Sequence, residues 1–200
     1  MKYYIIAGES SGDLHGSNLI KELKKKDPAA QIRCWGGDKM KAAGGNVVKH
    51  ISQLAFMGFF EVVKHLGTIL RNISFCKKDI LVFKPDVVIL IDYPGFNFRL
   101  FKFLHKHQFK IFYYISPQIW AWKTSRVHKV KKYVDRMFVI FPFEKDFYIK
   151  YGVEVDFVGH PLLDELSFED IQLTEKDKRV IALLPGSRKQ EIAHLLPEYL

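Results

Sequence analysis

Two hundred residues, 48% of them hydrophobic, are enough to bury a core and to make one large domain, or one domain with part of another. The formal net charge is +9, and the two cysteines, Cys34 and Cys76, lie far apart without metal-like spacing. That excludes a disulfide framework and a zinc site and fits a reducing compartment. No run reaches the roughly twenty apolar residues that cross a bilayer. A polar helix follows the first strand where a secretory signal would need its apolar stretch, so a cytosolic chain is expected.

Lys2 to Ala7 reads as a short apolar strand, and the helical recurrence of Leu14, Leu19, Ile20 and Leu23 follows it. Between them, Gly8-Glu9-Ser10-Ser11-Gly12-Asp13 is a strand-to-helix turn of small residues. In an open parallel sheet such a turn lies where ligands bind, with glycines for close approach and a helix N-terminus for an anion. The plainer reading is that Ser11 or Asp13 caps the helix. Gln31 to Trp35 reads as a second strand, Asp38 to Ala43 as a short helix, and Val47 to His50 as a third strand.

On a helical wheel, Phe59, Val62, Val63, Leu66, Ile69, Leu70 and Ile73 share one face. Glu61, Lys64, His65, Thr68 and Asn72 gather opposite, with Arg71 at the flank, and Leu54, Phe56, Met57 and Phe60 add apolar bulk upstream around Gly58. Such a stripe either faces the core or lies in a membrane surface without crossing it.

Asp86 to Ile91 is a continuous apolar strand, as expected of a central position buried on both faces. The loop Asp92-Tyr93-Pro94-Gly95-Phe96-Asn97 follows, then a basic helix from Phe98 to His107, a strand from Lys110 to Ile115, and the loop Ser116 to Trp122. A basic helix over Thr124 to Val134, a strand over Arg136 to Ile140, a helix over Phe143 to Tyr151 and a strand over Val155 to Val158 complete the unit. The alternation predicts an α/β fold, a Rossmann-like parallel sheet with helices on both faces. Residues 1–161 form this first domain, 162–178 a crossing, and 179–200 the start of a second domain. There Val180 to Leu184 reads as a strand and Pro185-Gly186-Ser187-Arg188 as a turn into a helix.

From Tyr93 to Val134 there is no Asp or Glu, while Arg99, Lys102, Lys106, Lys110, Lys123, Arg126, Lys129, Lys131 and Lys132 all fall there. A patch of one sign attracts an anionic partner: nucleic acid, nucleotide-sugar phosphates or acidic lipid headgroups. Solvated helix faces are the alternative.

Five collinear segments carry a resemblance across the whole chain. AGESSGD at 7–13, IDYPGFN at 91–97, SPQIWAW at 116–122, FVGHPLLDEL at 157–166 and LLPGSRKQEI at 183–192 stand in the order and spacing of the lipid-A-disaccharide synthases, which this sequence resembles. The resemblance implies an inverting glycosyltransferase with two Rossmann-like domains (GT-B). It would join UDP-2,3-diacylglucosamine to 2,3-diacylglucosamine 1-phosphate through a β-1,6 linkage and release UDP, in the lipid A synthesis of Gram-negative bacteria. It further implies an acceptor embedded in the inner-membrane surface, peripheral association of a cytoplasmic protein, and no nucleic acid partner. Family members are about twice as long, so the chain corresponds to the acceptor-side half, with the nucleotide-sugar domain only begun. The rival readings are another GT-B enzyme, such as the peptidoglycan N-acetylglucosaminyltransferase or a nucleotide-sugar epimerase, and a non-catalytic α/β module that binds anionic lipid or nucleic acid.

An inverting transfer needs one base and a stabilised leaving group, without an enzyme nucleophile. Asp92, after the central strand and matching the family's IDxPxFN-type aspartate, is the first choice of base; Glu9 is the second, and could instead bind acceptor hydroxyls. Ser10, Ser11, Asn97 and Gln118 are expected to bind substrate, and Arg188 to meet the diphosphate without a metal or other cofactor. Trp120 and Trp122 either line the cleft wall with Gln118 or plug the core. Asp13 is expected to cap a helix and His160 to be packed. The membrane-interface set is Phe56, Met57, Phe59, Phe60, Val63, Leu66 and Leu70.

Overall fold

The structure is a computed structural model and describes residues 1–54, 66–166, 181–186 and 189–199. It divides into two compact units, Met1–Leu163 and Asp164–Leu200. The first unit is a parallel sheet of seven strands: β1 (Lys2–Ile6), β2 (Gln31–Gly36), β3 (Asn46–His50), β4 (Val87–Ile91), β5 (Lys110–Tyr114), β6 (Arg136–Val139) and β7 (Asp156–Phe157). Their order is β3-β2-β1-β4-β5-β6-β7. The chain leaves β1 toward one edge, returns to lay β4 against the other side of β1, and then proceeds to the far edge. The reversal lies between β1 and β4, and the carboxyl ends of that strand pair form the crevice where open α/β sheets bind ligands.

Right-handed crossovers place the helices on opposite faces of the two halves. Helices α1 (Ser10–Lys26) and α2 (Asp38–Ala42) cover one face, where Ile20 and Met40 pack on Ile5, Ile32, Cys34 and Ile89. The other face carries α3 (Leu66–Phe83), the turn α4 (Pro94–Asn97), α5 (Phe101–Lys106), the turn α6 (Ile119–Trp122), α7 (Val127–Tyr133) and α8 (Pro142–Lys150). There Ile80, Phe101, Leu104, Val130 and Tyr148 close over Tyr4, Ile6, Val88, Leu90 and Tyr113. Alternate residues of one strand serve opposite cores, which is why all five residues of β4 are buried in the middle of the sheet.

The helix entering β4 departs from its expected form. It continues past Phe75 to Phe83, and its sheet-facing stripe is Ile69, Asn72, Ile73, Cys76, Asp79 and Ile80. Leu70, placed on the apolar face by the wheel, is 57% exposed, and Asn72, placed opposite, is buried. A polar network sets this phase. Asp79 accepts hydrogen bonds from the Arg33 guanidinium and from the Tyr4 hydroxyl (2.8 Å), and Tyr4 in turn accepts one from Trp35 Nε1 (2.9 Å). A wheel that weighs only apolar groups misses such an anchor.

Two expected loops and two expected helices are also subdivided. Residues 94–97 and 119–122 are helical turns rather than loop, and the basic helix expected over 98–107 is regular only from Phe101 to Lys106. The helix expected over 124–134 begins as a 3-10 turn at Thr124–Arg126. In the second unit, α9 (Lys189–Tyr199) forms as expected. Residues 181–186, which include most of the expected strand, are not regular structure, and Ile181 and Leu184 are exposed. A strand exists only within a ladder, and no partner strand lies among the described residues of that unit. Val180 and residues 167–178 of the expected crossing lie outside the described residues. So do Phe56, Met57, Phe59, Phe60 and Val63, the Leu66 side chain, and Arg188.

Candidate active site

Two loops meet at the carboxyl ends of β1 and β4. After β1 the chain passes through Gly8 into Glu9, the N-cap residue of α1, whose side chain makes no capping bond. Glu9, Ser10 and Ser11 are all exposed on this first turn. Asp13 does cap a helix, although not its own. It is buried, and its carboxylate accepts from the backbone N–H groups of Gly37 (2.6 Å), Lys39 (3.1 Å) and Met40 (3.0 Å) at the start of α2. The carboxylate thereby braces the β1 loop against the β2 loop, and its charge meets the positive end of α2.

After β4 the backbone turns left-handed at two successive residues, Asp92 (φ 40°) and Tyr93 (φ 47°). The carboxyl end of neighbouring β5 has a third such residue, the β-branched Ile115 (φ 64°). Each position costs about 1–3 kcal/mol unless its surroundings hold it, and such strain collects at functional sites. The other two non-glycine cases, Lys84 and Gln108, simply follow the ends of α3 and α5, where a left-handed residue is routine.

The surroundings of Asp92 do hold it. Asn97, fully buried, donates from its side-chain amide to the Asp92 carbonyl oxygen (2.7 Å), and the Tyr113 hydroxyl donates to the same oxygen (2.5 Å). Asn97 therefore lies beneath Asp92 and reaches a substrate only through it. The Tyr93 ring stacks on Phe96, with centroids 5.4 Å apart, and covers Gly8; a Cβ at Gly8 would stand 2.4 Å from that ring. Glycine is required there by the close approach of two loops.

Burial first, and the nearby Glu9 charge second, push the Asp92 carboxyl up to about 6, against the opposing effect of a hydrogen bond from the Tyr93 backbone. A carboxylate tuned toward neutrality is a stronger proton acceptor than a free one and is still mostly ionised at physiological pH. Desolvation and Glu9 also raise the Tyr93 phenol, while Arg99 lowers it. Glu9, Asp92, Tyr93 and Arg99 thus share one electrostatic neighbourhood.

Beyond β5, the two tryptophans part ways. Trp120 packs edge-on against Phe143 (4.9 Å), and its Nε1 has no partner among the described residues. Trp122 is 64% exposed, and the Arg126 guanidinium lies over its ring (5.2 Å). Gln118 is exposed at the start of α6. His160 accepts a hydrogen bond from the Leu162 N–H (3.3 Å) and packs on Phe141, in keeping with a packed role. Among the described residues no group of three or more His, Cys, Asp or Glu could hold a metal ion. A shallow polar depression of about 340 Å³, lined by Asp135, Arg136 and Asp156 among others, lies at the amino ends of β6 and β7, the opposite edge of the sheet.

Sequence reasoning missed Tyr93, Tyr113, Arg99 and Arg126 as members of this neighbourhood. The two arginines had a signal, since both belong to the acid-free segment; the tyrosines had none beyond their place at strand ends.

A sequence model of the lipid-A-disaccharide synthetase family matches residues 3–200. The lipid-A-disaccharide synthase of Geobacter metallireducens is 48% identical over 200 residues, which is 96% of this chain and 52% of that protein. The Geobacter sulfurreducens protein of the same name is 44% identical with the same coverage. Lipid-A-disaccharide synthase 1 of Legionella pneumophila is 42% identical over 201 residues, again 96% of this chain and 52% of that protein. The chain thus spans about half the length of the curated relatives it matches. Among solved structures, the UDP-GlcNAc 2-epimerase of Neisseria meningitidis bound to UDP-GlcNAc superposes with a TM-score of 0.60 at 12% identity, covering 82% of this chain and 47% of that one. The UDP-GlcNAc 2-epimerase of Methanocaldococcus jannaschii gives 0.55 at 16% identity, with the same coverage. At such identities the likeness shows the α/β fold alone.

Proposed function

The chain belongs to the lipid-A-disaccharide synthetase family, and from that premise we propose that it is the acceptor-side half of an inverting glycosyltransferase. The substrates are UDP-2,3-diacylglucosamine as donor and 2,3-diacylglucosamine 1-phosphate as acceptor. The product is the β-1,6-linked lipid A disaccharide, with UDP released.

The observation that carries this reading is Asp92. It stands at the carboxyl end of the central strand, beside the reversal of strand order, in a strained turn held from below by Asn97 and Tyr113. Its carboxylate takes the proton of the acceptor's 6-hydroxyl as that oxygen attacks the anomeric carbon of the donor. The carbon–oxygen bond to the diphosphate breaks on the opposite side, and its electron pair leaves on UDP. Glu9 holds acceptor hydroxyls and sharpens Asp92 by its charge. Ser10, Ser11 and Gln118, all exposed at the same edge, supply further hydroxyl and amide contacts. Arg188, next before α9 in the sequence, meets the leaving diphosphate in a nucleotide-sugar domain that begins near residue 179.

No helix among the described residues is long and apolar enough to cross a membrane. We place the protein at the inner-membrane surface on the cytoplasmic side, docked through Phe56, Met57, Phe59, Phe60, Val63, Leu66 and Leu70. In support, the outward side of α3 exposes Leu70, Phe75 and Val82 alongside Arg71 and Lys78, a mixture suited to an anionic lipid interface. The test is a disaccharide-forming assay with both acylated substrates, using the chain with its native continuation beyond Leu200. Stoichiometric disaccharide and UDP are expected. Hydrolysis or epimerisation of the UDP-sugar in place of transfer would overturn the reading.

A further inference from the structure

The acceptor in the reading above carries a phosphate monoester, and two carboxylates, Glu9 and Asp92, face the place where its sugar must sit. A phosphate brought to such a site is repelled unless a cation holds it. Arg126 is the best-built cation near this edge. Its guanidinium carbon lies 5.1 Å from the centroid of the Phe98 ring and 5.2 Å from that of Trp122, and two aromatic contacts of this kind fix its plane and free its N–H edge.

None of its guanidinium N–H groups bonds to an acceptor among the described residues, and no described carboxylate lies within ion-pair reach of it. Its neighbours along the chain supply none, since residues 93–134 hold no Asp or Glu. Arg126 is half-buried, so its charge is less screened than a surface lysine's. Lys123, three residues earlier, has its ammonium 4.6 Å from the Trp122 centroid. Arg126 also reaches the Asp92 neighbourhood through packing: it lies over Phe98, whose ring centroid is 6.2 Å from that of Tyr113, the residue whose hydroxyl donates to the Asp92 carbonyl oxygen.

We propose that Arg126, with Lys123 and the exposed face of Trp122, is a subsite for a phosphate monoester, and that under the proposed function it holds the acceptor's 1-phosphate. The planar edge of an arginine pairs two phosphate oxygens at once, and an aromatic clamp preserves that geometry before the ligand arrives. Under the proposed function the donor diphosphate is assigned to Arg188, so this pair of cations is assigned to the other phosphate. The inference rests on the glycosyl-transfer reading for the identity of the ligand, and on the clamp alone for its chemistry.

The test uses the protein with its native continuation, in neutral detergent micelles. Direct binding is measured for 2,3-diacylglucosamine 1-phosphate and for the same lipid with a free anomeric hydroxyl, in wild type, Arg126→Ala and Arg126→Lys. Arg126→Ala should weaken binding of the phosphorylated lipid by roughly 10- to 100-fold, leave binding of the hydroxyl form within error, and be partly restored in Arg126→Lys. Equal losses on both lipids would mean a structural role and overturn the proposal; so would no loss on either. Adding phosphatidylglycerol to the micelles separates the two phosphate sources. Competition that disappears in Arg126→Ala would assign the clamp to bilayer headgroups and overturn the acceptor assignment. If discrimination between the two lipids holds but wild type forms no disaccharide, the subsite stands and the transferase reading fails.

Discussion

The hydroxyl of Tyr113 on β5 donates a hydrogen bond to the backbone carbonyl oxygen of Asp92, which follows β4, at 2.5 Å. With the Asn97 amide on the same oxygen, it pins a left-handed residue that would otherwise relax. These are positioning groups. Asn97→Ala should lower kcat by about 10- to 100-fold while changing KM much less, because a buried hydrogen bond of about 1–3 kcal/mol is lost under the base. Tyr113→Phe should act in the same direction. A KM effect alone, or none, would separate these residues from Asp92.

Asp92 should limit the stability of the fold. Its carboxyl is pushed up to about 6 in the folded protein, from an ordinary value near 3.9 in the unfolded chain. A raised acid is destabilising when ionised: the penalty is absent below about pH 4, grows between about 4 and 6, and is full above. Asp92→Asn should therefore be more stable than wild type at pH 7.5, by about 1–2 kcal/mol, and the gap should close toward pH 4. Paired thermal melts across that range check it.

Gly8 faces the Tyr93 ring at a distance that leaves no room for a methyl group. Gly8→Ala should push the ring off Phe96 and loosen the turn that begins at Asp92. The expected cost is about 1–3 kcal/mol of stability, typical of overpacking, together with a loss of activity. A wild-type melting temperature and rate would show that the two loops yield more easily than their contact implies.

The two sides of α3 should separate stability from membrane binding. Ile73→Ala, on the buried side, should cost about 2–5 kcal/mol. Leu70→Ser, on the exposed side, should change stability by less than about 0.5 kcal/mol and should weaken binding to anionic vesicles. Equal vesicle binding by a folded Leu70→Ser protein would remove this helix from the docking surface.

Much of this architecture was legible beforehand, for identifiable reasons. The unbroken apolar run of β4 marked the centre of the sheet, and the turn residues at the ends of β1 and β4 marked its ligand-binding edge, so Glu9 and Asp92 stood out. What escaped were relations between residues far apart in sequence. Asp13 was expected to cap a helix, but only the fold shows that the helix is α2. Asn97 stood in a recognisable motif, yet its burial could not be read from spacing. The phase of α3 was misjudged because Asp79 turns inward to meet Arg33 and Tyr4. Residues 181–184 have the composition of a strand, and composition alone cannot provide the neighbour that a strand needs.

The measurement that bears most directly on the central claim is the rate of disaccharide formation by wild type and Asp92→Ala as a function of pH, in the protein with its native continuation. If Asp92 is the base, wild-type kcat/KM falls as pH drops through about 6, where the carboxylate takes up its proton. The Asp92→Ala rate is then lower by about 10²- to 10⁴-fold and loses that acidic limb. An Asp92→Ala enzyme that keeps wild-type activity and the same acidic limb would contradict the account and move the role of base to another carboxylate, with Glu9 the next to test.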